Sequence, residues 1–367
     1  MSADDGAMSG PGAGPGGAGG GRGGPGGGRP GREAPAGVYA GRRRRRRGRG
    51  EQPMVPDASF SSYYGRPVLN KPTWKAVDIA GYLFLGGLAG ASSLLAAGGE
   101  LTGRPGLAAP AKLGAAGAIS LSLAALVHDL GRPARFLNML RVFKPTSPMS
   151  VGSWILVGYA PLTMAAAAFE AAGRYRLLGS TAAEVACRYR LSGSAATVAS
   201  AVLGPAVATY TAVLLSNTAV PSWHEGYRQL PFVFAGSAAA AASGLALATA
   251  PIEEAGPARR TALLGAGLEL GAFQLMKRRT GIAAEPFDRG RPRVLLRASE
   301  ALTVAGAALA LLSGRLRDRR VALAAGTALL TGSAALRFGV FHAGVASAED
   351  PRYTVVPQRE RLTARGC

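Results

Sequence analysis

Residues 191–223 read LSGSAATVASAVLGPAVATYTAVLLSNTAVPSW, with no Asp, Glu, Lys or Arg among them. HEGYR follows at 224–228, and a second run free of those charges fills 229–252. A bilayer's hydrocarbon core is about 30 Å thick and takes roughly 20 helical residues to cross. Only helices and closed barrels satisfy their own backbone polar groups there. These runs are rich in Ala and modest in β-branched and aromatic residues, so they read as transmembrane helices rather than barrel strands.

The same texture extends both ways. Eight spans are expected, at about 76–98, 107–128, 151–172, 196–217, 229–251, 259–276, 298–314 and 321–341. Four of them, the second and the last three, are short or carry an ionisable group: Lys112, Glu269, Glu300 and Arg337. The fold class is therefore an all-α integral membrane protein, an up-and-down bundle of about eight transmembrane helices. Before it, the first 50 residues hold 19 Gly, 10 Arg and three acids, ending in GRRRRRRGRG. Such a composition cannot repay the entropy of ordering, so 1–56 reads as a disordered basic leader. Residues 57–345 read as the membrane domain and 346–367 as a polar C-terminal tail.

The net charge of +21 suits a nucleic-acid binder or a membrane protein with basic loops, and its distribution favours the second. With eight spans both termini share a side, which collects 29 Lys and Arg against 12 on the other. The positive-inside bias then puts the termini in the cytoplasm of a cell with the chain in its inner (plasma) membrane. The three histidines, His128, His224 and His342, all fall at that same face, with Asp78 and Asp129. Glu269 lies about two turns inside it and Arg337 about one, close enough to pair across the sixth and eighth spans. Ionisable groups at membrane depth are expensive and mark a pathway or a pair. Three histidines near one face do not make the facing pairs at two depths that a di-haem cytochrome needs. Two cysteines, Cys187 and Cys367, cannot supply the four thiolates of an iron–sulfur cluster.

Four stretches carry a resemblance: YYGRPVLNKPTWKAVDIAGYLFLGGLAG (63–90), HDLGRPARFLNMLRVFKPTSPMSVGSW (128–154), LLSNTAVPSWHEGYRQLPFVFAGSAAA (214–240) and EPFDRGRPRVLLRASEALTVAGAAL (285–309). Together they resemble the NrfD family, also called the polysulfide-reductase membrane-subunit (PsrC) family, over roughly 60–345. The blend resembles the members that accompany formate dehydrogenases. The resemblance implies a haem-free subunit that exchanges electrons with a quinone, menaquinone or ubiquinone. It also implies an iron–sulfur partner of the ferredoxin type, and behind that a molybdenum or tungsten catalytic subunit. No haem or iron–sulfur cluster is expected in this chain, and its remaining partner is membrane lipid rather than nucleic acid.

A quinone site needs proton-exchanging donors and an apolar slot. The candidates are Asp78 and Tyr82, one helical turn apart, with His128, Asp129, Trp223, His224, Glu225 and the deep Glu269. Arg132, Arg135 and Arg141 form a basic loop suited to docking an acidic partner, with Arg132 in reach of Asp129. Gly131 is placed to end the second span, Ser150 to cap the third, and Trp154 to sit at the interface. Two other functions fit the same residues: an ion-translocating bundle or secondary transporter built around Glu269, and an anchor with no redox chemistry.

Overall fold

The computed structural model of the protein describes residues 68–70, 72–132, 134–174 and 183–365. The expected leader and Cys367 lie outside these residues, as does the side chain of Cys187. Every regular element among the described residues is helical. In chain order they are α1 (Ala76–Leu101), α2 (Pro105–Asp129), α3 (Ala134–Met139), α4 (Pro148–Arg174), α5 (Ala183–Ser216) and α6 (Pro221–His224). Then come α7 (Leu230–Thr249), α8 (Gly256–Arg279), a 3-10 run (Gly281–Asp288), α9 (Gly290–Leu316), α10 (Arg319–Glu349) and α11 (Arg352–Arg365). Eight of these are long, as expected for an all-α membrane protein.

Seven of the eight are long and apolar enough to cross a bilayer. The exception is α8, at the expected sixth span. It carries Arg259, Arg260, Glu269 and the terminal run Lys277–Arg279, yet buries a stripe of Ala258, Ala262, Gly265, Ala266, Phe273 and Met276. Helices α1, α2, α4 and α5 pack together, as do α7, α8, α9 and α10, and α1 joins the groups through α7 and α10. Helices α1 and α7 form the centre: 78% and 72% of their apolar windows are buried, against 33–50% for the other five.

Lipid tails give helices no hydrophobic reason to associate, so close packing of small residues must hold them. Gly90 of α1 and Gly204 of α5 meet backbone to backbone, and a Cβ on either would strike the other's carbonyl. Gly244 of α7 faces Gly326 of α10 in the same way. Gly265 of α8 lies so near α7 that a Cβ there would stand 2.8 Å from the Ala240 nitrogen. Hydroxyls in the spans mostly return a hydrogen bond to their own helix, as Ser93 does to Ala89 and Thr163 to Tyr159. That removes the cost of a bare polar group in hydrocarbon.

The ends differ from expectation in two places. Ser150 lies inside α4, not before it; its hydroxyl donates to the Val142 carbonyl (2.9 Å) and accepts from the Lys144 nitrogen (3.1 Å), tying the preceding loop to the helix. Residues 352–365 of the polar tail form α11, which buries Tyr353 and Val356. Gly131 does end α2 as expected, at φ +70°.

Gly90→Ala should cost about 1–3 kcal/mol by overpacking the α1–α5 contact. Gly81→Ala, with nothing within 4 Å of the added carbon, should not. Thermal unfolding of the two variants in detergent checks this; equal midpoints would contradict it.

Candidate functional site

The end of the bundle that holds the start of α1 and the end of α2 gathers most of the candidate residues. His128 Nδ1 lies 2.9 Å from Asp78 Oδ2, joining the last turn of α2 to the first turn of α1. Beside it the Lys75 nitrogen donates to Asp129 Oδ1 (3.3 Å). The histidine is 68% exposed and the aspartate 13%, so the pair straddles the boundary between water and the packed bundle. An imidazole held by a carboxylate can give a proton to an adjacent acceptor and regain one from water. One turn deeper Tyr82 is buried, its ring edge-on to Tyr210 at 6.5 Å.

Trp223, where a quinone head was expected to rest, does not stand on the surface of the protein. It is fully buried, and its Nε1 donates to the Val340 carbonyl at 2.8 Å. Trp74 stacks on it at 6.1 Å and Phe341 lies 5.7 Å away. The indole rests where a side chain at Gly344 of α10 would otherwise stand. Ser222 anchors the same turn by donating to the Ala283 carbonyl (2.8 Å). Pro221 starts α6 and forces this reversal just after α5.

His224 and Glu225 therefore face outward, and they part company. His224 Nδ1 lies 3.1 Å from the Ser216 carbonyl. A carbonyl only accepts, so this nitrogen carries the hydrogen and Nε2 is left free on an exposed ring. Glu225 accepts from Arg361 of α11 instead of contacting the histidine. Next to that contact Glu285 binds Arg289 (3.1 Å) and Arg352 (3.2 Å), and the Tyr353 hydroxyl donates to it at 3.4 Å. Burial, and then the Glu285 carboxylate, push the Tyr353 phenol up, so it remains a donor at neutral pH.

Glu269 and Arg337 are buried in the second helix group but form no ion pair with each other. Glu269 Oε1 accepts from Thr303 Oγ1 (3.0 Å), and Arg337 Nη2 donates to the Phe234 carbonyl (2.8 Å) with its guanidinium 3.6 Å from the Phe234 ring centre. Glu269 Oε2 and Arg337 Nε and Nη1 have no partner among the described residues.

Arg132, Arg135 and Arg141 are exposed. Arg135 bonds the Leu130 carbonyl (3.0 Å), and Asp129 takes the Lys75 nitrogen rather than Arg132. The short α3 between them buries nothing, and Leu137, Val142 and Phe143 stand 60–66% exposed beside the arginines. At the opposite end of the bundle lies a cluster that sequence reasoning missed. Lys112 of α2, 5% exposed, is clamped by Glu100 of α1 and Glu170 of α4. The lysine was visible as a charge within a span. Its partners look like ordinary helix-end acids until topology brings the two ends together.

An all-α bundle with seven helices long and apolar enough to cross a bilayer is a polytopic membrane protein. The family model described as Polysulphide reductase, NrfD matches residues 68–259, and the chain belongs to that family. No curated protein matches the chain.

Replacing Trp223 by Phe removes the donor to the Val340 carbonyl inside the core. The loss should destabilise the protein by about 1–3 kcal/mol and speed amide exchange over 221–226. Unchanged exchange there would show that the indole does not hold this turn.

Proposed function

We propose that the chain is a haem-free, quinone-reactive membrane subunit of a multi-subunit oxidoreductase, of the formate dehydrogenase or polysulfide reductase kind. It passes electrons between an iron–sulfur, ferredoxin-like subunit and menaquinone or ubiquinone, with a molybdenum or tungsten subunit acting on the primary substrate. The reading rests on family membership, since NrfD proteins partner with iron–sulfur and molybdenum subunits. The observation that carries the chemistry is the His128–Asp78 pair at the bundle's edge. Reducing a quinone adds two protons with two electrons, and this pair, with Asp129 and the free Nε2 of His224, supplies groups that can take up protons from water and hand them on at one membrane face. Trp223 serves by fixing that turn, not by touching the quinone. The exposed Arg132, Arg135 and Arg141, with the apolar Leu137, Val142 and Phe143, suit the docking of an iron–sulfur partner. Both termini lie in the cytoplasm and the chain sits in the inner membrane on the charge bias of its loops.

A second reading has one observation of its own. The bare oxygen of Glu269 and the bare nitrogens of Arg337 favour a proton relay through the α7–α10 group, as an ion-translocating bundle would have.

In the intact complex, His128→Ala and His224→Ala should each lower quinone turnover about a hundredfold, the low end for a lost proton-transfer group. Reduction of an artificial dye by the soluble subunits should persist. Quinone turnover unchanged in both variants would remove the proton-donor roles. The purified subunit should also show no Soret band; a stoichiometric b-type spectrum would overturn the haem-free reading.

A further inference from the structure

On the outer flank of the bundle a groove of about 320 Å³ runs between α7 and α8. Phe232, Leu268 and Leu275 wall it, and Gly267 and Gly271 form its floor. These two glycines differ from those at the helix contacts. A Cβ at either would meet nothing within 4 Å, so helix packing does not account for them. From Gly267 to Leu275 the floor extends about 12 Å at 1.5 Å per residue, a large part of one leaflet of a roughly 30 Å core.

One polar group faces the groove. Gln229, at its head, is only 6% exposed and is the one residue with a polar side chain among those that line it. Cations stand just above. Arg228 precedes the glutamine, and Arg278 and Arg279 follow Leu275 by one turn on the same stripe of α8; all three are exposed. The nearby acids are engaged, Asp288 with Lys277 (2.5 Å) and Glu225 with Arg361.

We propose that this groove binds an anionic phospholipid. One acyl chain lies along the glycine floor between the apolar walls. The Gln229 amide donates to an ester or phosphate oxygen, and the phosphate sits under Arg228, Arg278 and Arg279. A neutral quinone would match the apolar floor and the amide but leave the three cations without a counterpart.

The test uses the full chain and phosphatidylglycerol. Native mass spectrometry after detergent washing should find about one phosphatidylglycerol per wild-type chain, and little phosphatidylcholine from a mixed vesicle. Gly271→Leu fills the groove and should cut retention at least tenfold. Arg278→Gln with Arg279→Gln should cut it by roughly tenfold or more, two arginines near a lipid phosphate each being worth about a factor of five. The paired arginine variant leaves the helix contacts untouched, so it decides the matter should Gly271→Leu unfold. Retention as in wild type by a folded Gly271→Leu or by the arginine variant would overturn the proposal. So would equal retention of phosphatidylcholine, or release of a quinone from wild type but not from Gly271→Leu.

Discussion

The indole of Trp223 and the bare backbone at Gly344 occupy one another's space, and the functional end of the bundle is arranged around that fit. The hydrogen bond to Val340 fixes the ring's depth, and Trp74 covers its other face. Because Trp74 lies two residues before α1, the same stack sets where Asp78 begins the first turn and so where it meets His128. With the ring turned inward, the next two residues must turn outward, which puts His224 on α5's last carbonyl and Glu225 on α11. A single large side chain thereby orders groups from α1, α2, α5, α10 and α11.

Elsewhere the bundle obeys its solvent. Most hydroxyls bond their own or a neighbouring helix, the buried hydroxyls of Ser92, Tyr210 and Thr211 being exceptions, and backbones close on glycine pairs. Against that background the uncompensated atoms of Glu269 and Arg337 stand out. Breaking the pattern costs energy in a water-poor interior, and groups kept there at such cost are the ones to which proton movement is ascribed.

The sequence was most legible where one property repeats. Uncharged runs at 191–223 and 229–252 located α5 and α7, and the count of spans put the three histidines at one end. The glycine stop at 131 was also readable from local chemistry. What was hidden needed three dimensions. Trp223 and His224 are adjacent in a turn, and nothing in their order says that one points into the core and the other into water. Glu269 and Arg337 were read about one turn apart in depth and in reach of each other, but the rotation of α8 and α10 about their axes sends one to Thr303 and the other to Phe234. Glu225 was read with its neighbour in sequence, while its partner lies in a tail that looked merely polar.

The clamp on Lys112 bears on how the chain is made. Its two counter-ions are synthesised at different times: Glu100 twelve residues earlier, Glu170 fifty-eight residues later. When α2 leaves the ribosome its lysine can be neutralised only once, by the helix already in place. The second carboxylate arrives with the end of α4, after the loop bearing Arg132, Arg135 and Arg141 has been laid down on the opposite side. Full seating of α2 is thus tied to completion of α4, and α1, α2 and α4 are joined by one ion cluster before α7 is made.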